Sequence, residues 1–338
     1  MFVTRRIRDA GLNILEEAGV EMRVWPGEED EGPSQDEVIE GARWADVLLS
    51  LLTEPVNRAV MEANPSLLGI AQFAVGYDNI DVGIATELGI PVSNTPGVLT
   101  DTTADLTWAL LLSVSRNIVT GDEYMRGGNY KLWGPNLLLG EDTSPGGDGR
   151  KKILGVVGFG RIGQAVTRRA MGFDMRVLAY DPYAREAIES DGQAEWADLD
   201  VLLAKSDFVS IHTLLSNETR HLISTAEFEK MKPTAYILNA ARGPIIDEAA
   251  LVVALNEGEI AGAGLDVYER EPKMVQGLAE CKNAVLLPHL GSASRGTRDK
   301  MATMAATNAI AMLQGDRAPN CVNADVYDST AYAKRSGH

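Results

Sequence analysis

The sequence predicts an α/β protein made of two doubly wound parallel sheets that are covered by helices. Short runs of β-branched and aliphatic residues alternate with amphipathic stretches along most of the 338 residues. Such strand–helix–strand alternation is typical of parallel sheets. At about 150 residues per domain, this length favours two domains over one. With 45% apolar and 23% charged residues, the composition is that of an ordinary globular chain.

A first series of predicted elements occupies the first third of the chain. Its strands are Phe2–Thr4, Glu21–Trp25, Asp46–Leu51, Leu67–Phe73 and Ile90–Ser93. Amphipathic segments predict helices between them over Ala10–Ala18, Asp36–Arg43 and Pro55–Glu62.

A second series of strands follows an irregular stretch. These strands are Lys152–Val157, Met175–Tyr180, Phe208–His212, Ala235–Asn239, Gly262–Val267 and Ala284–Leu287. Before them come a long helix starting near Thr102, where Thr102-x-x-Asp105 forms a candidate capping box, and the segment 122–150. That segment is rich in glycine and proline, which predicts an arm or linker. A last helix is expected over about Thr297–Leu313, and the tail Tyr327–His338 is expected to fray.

The charge balance narrows the classes of ligand. The chain carries 31 Lys and Arg against 48 Asp and Glu, a formal net charge of −17. An acidic surface repels phosphate backbones and anionic lipids, so we expect neither nucleic acid nor membrane as a partner. Cys281 and Cys321 form no disulfide framework, and the four histidines show no metal-ligand spacing, so no metal is expected. The basic start lacks an apolar signal region, and these features together predict a cytoplasmic protein.

A glycine-rich motif carries the strongest local signal. Gly158, Gly160 and Gly163 form GxGxxG between an apolar strand and a helical pattern. Glycines there permit a tight turn and close approach of backbone N–H groups to a pyrophosphate. Asp181 follows the next strand, 18 residues beyond Gly163. A carboxylate there accepts hydrogen bonds from the ribose hydroxyls of NAD and repels the extra phosphate of NADP.

Three polar side chains follow later strands. They are Arg242, Glu271 and His289. Each has a purely structural explanation, as a surface ion-pair partner, a loop carboxylate and a hydrogen-bonded histidine. Together, beside a dinucleotide site, they are the parts needed to reduce a 2-oxo acid. Arg binds a carboxylate bidentately, and a carboxylate beside His favours the charged imidazole that donates a proton as hydride arrives.

These motifs resemble the D-isomer-specific 2-hydroxyacid dehydrogenases, and within them the glyoxylate/hydroxypyruvate reductases. The resemblance rests on 75–81, 94–105, the glycine motif and the three strand ends, and it runs to about residue 320. It implies Rossmann-like domains and NAD(P)H-dependent reduction of a small 2-oxo acid to a D-2-hydroxy acid. It assigns catalysis to Arg242, Glu271 and His289, with His289 as proton donor.

The resemblance also implies further contacts. Substrate would meet Arg242, Leu51, Leu52, the backbone N–H groups of Val75 and Gly76, and Trp133. Trp133 has an alternative role as an interface anchor without substrate contact. The cofactor residues would be Thr102, Gly158, Phe159, Gly160, Arg161, Ile162, Gly163, Asp181, Thr213, Ala240, Asp266 and Gly291.

Domain layout and assembly come from the same resemblance. It implies a discontinuous substrate-binding domain of residues 1–98 and 289–338 around a dinucleotide-binding domain of residues 99–288. A dimerisation arm of about 122–150 would form a homodimer, and domain closure would exclude water.

Three departures from the family pattern stand out. Asp181-Pro182 replaces the hydroxyl residue and Arg often found in NADPH enzymes, which favours NADH and leaves Arg185 as the nearby base that argues for NADPH. Leu214 replaces a common proline, and 141–149 is longer than usual. The alternatives are a dehydrogenase for D-lactate, phosphoglycerate or a bulkier acid, and an NADH-sensing corepressor-like binding protein.

Overall fold

The computed structural model describes residues 1–28, 30–146 and 149–336. The chain divides into two compact units. Residues 100–292 form one, which we call the central unit. Residues 1–99 and the described residues from 293 onward form the other, the terminal unit. The chain therefore passes between the units twice, after Leu99 and after Ser292.

The first part of the terminal unit alternates strands and helices as the sequence predicts. The strands are β1 Phe2–Val3, β2 Arg23–Val24, β3 Val47–Ser50, β4 Gly69–Gln72 and β5 Val92–Ser93. The helices are α1 Asp9–Glu17, α2 Gln35–Trp44, α3 Arg58–Glu62 and α4 Val82–Glu87. Ser34 and Glu37 form a reciprocal capping box that starts α2, and the Asn57 side chain caps α3. This cap makes α3 begin three residues later than the sequence predicts.

The central unit repeats the alternation with longer strands. Its helices are α5 Thr100–Ser115, α6 Ile118–Arg126, α7 Arg161–Ala170, α8 Arg185–Asp191, α9 Leu199–Lys205, α10 Thr225–Phe228 and α11 Glu248–Glu257. Its strands are β6 Ile153–Val157, β7 Arg176–Tyr180, β8 Glu195–Trp196, β9 Phe208–Ile211, β10 Tyr236–Asn239, β11 Gly262–Leu265 and β12 Ala284–Leu286. Strand β8 was not predicted, since its two residues are too short to form an alternating pattern.

The chain returns to the terminal unit through α12 Arg295–Leu313 and ends in α13 Thr330–Ser336. The prediction of a frayed tail was wrong for the described residues. The Arg335 guanidinium donates to the carbonyl oxygens of Leu88, Asn64, Pro65 and Leu67, which ties α13 to the unit. Residues 337 and 338 lie outside the described part of the chain.

Both sheets are fully parallel and doubly wound, which confirms the predicted fold class. The terminal sheet has the order β2-β1-β3-β4-β5, and the central sheet has the order β12-β11-β10-β9-β6-β7-β8. In the central sheet the strand order reverses between β6 and β9. Ligands of doubly wound sheets bind outside the carboxyl ends of the strands at such a switch point.

Each sheet separates two apolar layers. On β3 of the terminal sheet, Leu49 faces a cluster with α1 and α12, whereas Leu48 faces a cluster with α2, α3 and α4. In the central unit, Val157 and Val156 likewise face opposite clusters. Burial on both faces explains why these strands read as near-continuous apolar runs.

Two local predictions met different outcomes. The capping box at Thr102 and Asp105 was wrong, because α5 already begins at Thr100 and Asp105 instead pairs with Arg169 Nε at 2.7 Å. The arm or linker predicted over 122–150 was wrong for its first residues, because 122–126 belong to α6; from 127 to 150 the described residues contain neither helix nor strand, as the glycine and proline content predicts. Gly147 and Asp148 of the expected insertion lie outside the described residues. No helix in the described part of the chain combines the length and apolar character that crossing a membrane requires.

Candidate active site

The glycine motif forms a tight turn between β6 and α7. Gly158 has φ +95°, and a Cβ on it would lie 2.6 Å from the backbone nitrogen of Thr213. A Cβ on Gly163 would lie 2.2 Å from the carbonyl oxygen of Gly158. Gly160 is exposed, caps α7 without a side-chain hydrogen bond and has open space where a Cβ would stand. The residues therefore fit a pyrophosphate that approaches the bare N-terminus of a helix.

Asp181 lies at the carboxyl end of β7 and reaches back to this turn. Its Oδ2 accepts the N–H of Phe159 at 2.9 Å, and its Oδ1 accepts the N–H of Tyr183 at 2.9 Å. The nearby Arg185 pairs with Glu189 at 2.9 Å and lies over the ring of Trp196. A fixed carboxylate, with the nearest base engaged elsewhere, suits a ribose diol better than a phosphate.

His212, at the end of β9, lines the same turn. Its Nε2 lies 2.7 Å from the hydroxyl of Ser210, and burial lowers the pKa of His212 to about 3. Its Nδ1 is inaccessible to solvent and has no hydrogen-bond partner among the described residues. His212 is therefore neutral, and its backbone lies against Gly158 of the motif.

The turn after β10 carries Arg242. Asn239 Oδ1 accepts the N–H of Ala241 at 3.0 Å, and Asn239 Nδ2 donates to the carbonyl of Arg242 at 2.9 Å. A Cβ on Gly243 would lie 1.8 Å from the backbone of Tyr268, so this turn lies directly against the segment after β11. Asn239 therefore fixes the turn, a role that the sequence signalled only by its position at a strand end.

Asp266, fully buried after β11, organises the loop that carries His289. Its carboxylate accepts the N–H groups of Leu290 at 2.6 Å and Gly291 at 2.7 Å, and its carbonyl accepts the N–H of His289 at 2.9 Å. Burial raises the pKa of Asp266, and the two backbone N–H groups oppose that rise. His289 has φ +55°, a left-handed conformation that side chains rarely adopt, so its backbone is strained. The three hydrogen bonds to Asp266 hold the loop, and with it His289, in that conformation.

Glu271 and His289 form the pair that the motifs suggest. His289 Nδ1 lies 2.8 Å from Glu271 Oε2, and Glu271 Oε1 accepts the N–H of Tyr268 at 3.0 Å. Burial works to raise the pKa of Glu271, but the hydrogen bond and charge of His289, the N–H of Tyr268 and the charge of Arg242 together lower it. The pair thus consists of an ionised carboxylate that orients an imidazole and leaves Nε2 for other chemistry.

A second carboxylate, Glu248, anchors the loop that carries Glu271. It is buried at the start of α11, and its two oxygens accept the N–H groups of Glu269 at 2.6 Å and Val275 at 3.1 Å. Burial raises the pKa of Glu248. This role leaves no mark in the sequence, because a Glu in the first turn of a helix has a sufficient local explanation.

The other expected residues fall into three places. Thr102 lies in the first turn of α5, next to Thr103, whose hydroxyl donates to the Gly291 carbonyl at 2.9 Å. Leu51, Leu52, Val75 and Gly76 lie in the terminal unit, half-buried, after the adjacent strands β3 and β4. Trp133 is 71% exposed in the segment after α6.

Comparison with known proteins agrees with this geometry. Residues 108–291 match the family model described as D-isomer specific 2-hydroxyacid dehydrogenase, NAD binding domain. A glyoxylate reductase of Korarchaeum cryptofilum is 48% identical, over 96% of each chain.

Solved structures show the same likeness over the length of the chain. The TT0316 protein from Thermus thermophilus is similar with a TM-score of 0.85 and 40% identity, over 95% of this chain and 99% of that one. An NADPH-dependent glyoxylate/hydroxypyruvate reductase from Sinorhizobium meliloti, solved with NADP and malonate, is similar with a TM-score of 0.80 and 30% identity, over 96% of each chain. With a dinucleotide turn, an oriented Glu–His pair and relatives of this identity, the chain belongs to the NAD(P)-dependent D-isomer-specific 2-hydroxyacid dehydrogenase family.

Proposed function

We propose that this protein reduces glyoxylate or hydroxypyruvate to the D-2-hydroxy acid, with NADH as hydride donor and His289 as proton donor. The observation that carries the proposal is the 2.8 Å contact between His289 Nδ1 and Glu271 Oε2 at the strand ends of the dinucleotide-binding unit. The relatives named glyoxylate reductase support the choice of substrate.

The roles of the three catalytic residues follow from their chemistry. Glu271 stays ionised and orients His289, so that a proton on Nε2 is available to the carbonyl oxygen of the 2-oxo acid. Arg242 binds the carboxylate of the substrate. When bound, NADH would supply the hydride, which carries two electrons and one hydrogen nucleus, for the carbonyl carbon. The proton from His289 completes the hydroxyl group, and the neutral imidazole is then protonated again from solvent.

The central unit would bind the cofactor through the residues that the family pattern implies. They are Thr102, Gly158, Phe159, Gly160, Arg161, Ile162, Gly163, Asp181, Thr213, Ala240, Asp266 and Gly291. NADH is preferred over NADPH because the carboxylate of Asp181 is fixed at the turn by the N–H of Phe159. The carboxylate of Asp266, already engaged by two N–H groups, keeps lone pairs for the carboxamide of the nicotinamide.

The family pattern also implies substrate contacts within the terminal unit. Val75 and Gly76 offer backbone N–H groups to the substrate carboxylate, and Leu51 and Leu52 form an apolar wall that suits a small acid. Trp133 belongs either to this site or to an interface between subunits.

The working form is a homodimer built on the arm of about 122–150. Apolar side chains there are exposed in the single chain, Leu132 by 82% and Trp133 by 71%. A group of this kind on a surface marks an interaction site. The free thiols Cys281 and Cys321 support a reducing compartment such as the cytoplasm.

A steady-state comparison tests the proposal. Purified protein is assayed with glyoxylate, hydroxypyruvate, pyruvate and a bulkier 2-oxo acid, each with NADH and with NADPH. We expect the highest kcat/KM for one of the first two acids with NADH. Preference for a bulky acid would reject the small pocket, and tight NADH binding without any turnover would favour a sensing role.

A further inference from the structure

The segment after β4 holds three successive carbonyl groups in fixed directions. The carbonyl of Ala74 accepts the backbone N–H of Thr95 at 2.9 Å. The carbonyl of Val75 accepts Asn94 Nδ2 at 2.8 Å, and the carbonyl of Gly76 accepts Gln72 Nε2 at 3.3 Å. Two of the three donors are side-chain amides that come from buried residues.

These contacts determine where the next N–H groups point. In a trans peptide the N–H lies opposite to the carbonyl of the same peptide unit. The N–H groups of Val75, Gly76 and Tyr77 therefore point away from the donors that hold the three carbonyls. Within the described chain, no acceptor forms a hydrogen bond with any of these three N–H groups. Neighbouring backbone N–H groups that have no internal acceptor are available to donate to an anion. We call residues 74–77 the cradle.

Gln72 links the cradle to the neighbouring strand. It is fully buried, and its Oε1 accepts the hydroxyl of Ser50 at 2.7 Å. Its Nε2 donates to Gly76 and also to Asn79 Oδ1, at 2.8 Å. The carbonyl of Gly76 can only accept, so it fixes which end of the Gln72 amide is nitrogen, and the hydroxyl of Ser50 then donates to the remaining oxygen.

Asn79 extends the same chain of hydrogen bonds to the loop after β3. Its Nδ2 donates to the carbonyl of Leu51 at 2.9 Å and to the carbonyl of Glu54 at 2.8 Å. The Glu54 carboxylate, itself buried, accepts the N–H of Leu51 at 2.9 Å. The loop with Leu51 and Leu52 is thereby connected to the cradle through two amide side chains.

The backbone of Asn94 is held by residues from the C-terminal part of the terminal unit. Its backbone carbonyl accepts Nδ2 of Asn308, a fully buried residue of α12, at 3.1 Å. Its backbone N–H donates to the carbonyl of Asn320 at 3.2 Å. The donor to Val75 therefore belongs to the core of the unit and cannot rotate freely.

We infer that Gln72 and Asn94 are positioning residues for the carboxylate of the 2-oxo acid. By holding the carbonyl side of each peptide, Gln72 and Asn94 present the N–H groups of Gly76 and Tyr77 to the carboxylate, and Tyr77 is thereby a third backbone donor. Asn79 sets the position of the Leu51–Leu52 wall relative to that donor row. The inference rests on the proposed function, because it takes the bound anion to be the substrate carboxylate.

The test separates substrate binding from chemistry. Gln72→Met and Asn94→Leu preserve the approximate side-chain volume and remove the donor. Each is expected to raise KM for glyoxylate and Ki for oxamate by about tenfold, since a hydrogen bond to a charged group is worth about that factor. kcat and the Kd for NADH should stay within about twofold of the wild-type values.

Asn64→Leu provides the matched control. Asn64 lies in the same unit and also donates to a backbone carbonyl, that of Ala45, at 2.9 Å, but it does not contact the cradle. This variant should lower Tm as the others do and leave KM unchanged. Asn94→Asp, which keeps the shape and loses the donor, replaces Asn94→Leu if the latter does not fold.

The outcomes distinguish this inference from the proposed function. If the wild-type protein reduces no 2-oxo acid, the proposed function fails. If the wild type is active and folded variants keep a normal KM and Ki, or lose kcat instead, the amides of Gln72 and Asn94 do not position the substrate carboxylate.

Discussion

The candidate groups of the two units are built from opposite chemistry. In the central unit, Asp266, Glu271 and His289 are ionisable side chains, and the environment shifts the pKa values of the two carboxyl groups in opposite directions. In the terminal unit, the cradle offers neutral backbone N–H groups that the neutral amides of Gln72 and Asn94 orient. In the proposed reaction, the ionisable groups of the central unit control proton transfer, whereas the backbone donors of the terminal unit orient the substrate carboxylate.

This difference reflects what each step requires. Proton transfer needs a group whose charge can change, so its carboxylate partner must stay ionised while half-buried. Binding of an anion needs only hydrogen-bond donors that are already oriented toward it. Amide groups supply such donors at every pH, because they do not titrate. We therefore expect substitutions in the central unit to change kcat and its pH dependence, and substitutions at the cradle to change KM.

The largest effect is expected for His289→Ala. Loss of the proton donor should lower kcat by about 100- to 10,000-fold, a range typical of general acid catalysis. NADH binding, measured by fluorescence titration, should persist because the glycine turn is untouched. A variant with unchanged turnover would contradict the role of His289.

Glu271→Gln keeps the shape of the pair and removes its charge. We expect kcat to fall by about 10- to 1,000-fold, since the imidazolium loses its counter-ion. The pH range over which the wild type keeps the Glu271–His289 pair gives a second test of the role of Glu271. Because the hydrogen bond from His289 lowers the pKa of Glu271, the pair persists as pH falls through the ordinary Glu value of about 4.3.

The lowered pKa of Glu271 should also make the stability of the folded protein depend on pH. A depressed pKa contributes stability that is fully present above the unfolded value and lost as pH falls through the folded value. The Tm difference between wild type and Glu271→Gln should therefore be largest above the ordinary Glu pKa of about 4.3 and should shrink at lower pH, because only the wild type loses this contribution. Coincident curves would show that the pair is not formed in solution.

Asp181→Asn tests cofactor choice and keeps the hydrogen bond to the glycine turn, whereas the N–H of Tyr183 loses its acceptor. Asn keeps an oxygen that accepts the N–H of Phe159, and it removes the negative charge. The ratio of kcat/KM for NADH to that for NADPH should fall by about 10- to 100-fold, as expected when a charged hydrogen-bond acceptor is lost. A wild-type preference for NADPH would refute the role of Asp181 at once.

The smallest effect is expected from salt. The net charge of −17 opposes an anionic substrate, and salt screens that long-range field. Between about 0.05 and 0.5 M KCl, KM for glyoxylate should rise by no more than about twofold or should fall. A steep rise would mean that exposed Arg or Lys side chains, and not fixed backbone donors, dominate binding.

The sequence was informative where a function depends on a residue type at a strand end. Gly158 could be recognised because only glycine fits a φ of +95° beside Thr213. The sequence misled at Thr102, where a capping pattern lies inside a helix, and it missed β8, because two residues contain no periodicity. The parallel direction of the strands followed from their alternation with helices, since a helix crossover returns the chain to the same edge of the sheet.

By itself, the sequence determined the fold class and the dinucleotide turn, because each leaves a pattern within a few neighbouring positions, and its family resemblance predicted the three residues on which the proposed chemistry depends. Only the tertiary structure decided which groups hold those residues in place. Asp266 supports a loop 25 positions away at Gly291, and Asn79 supports Leu51 across 28 positions. Hydrogen bonds of that reach join segments that only packing brings together, so no local pattern announces them.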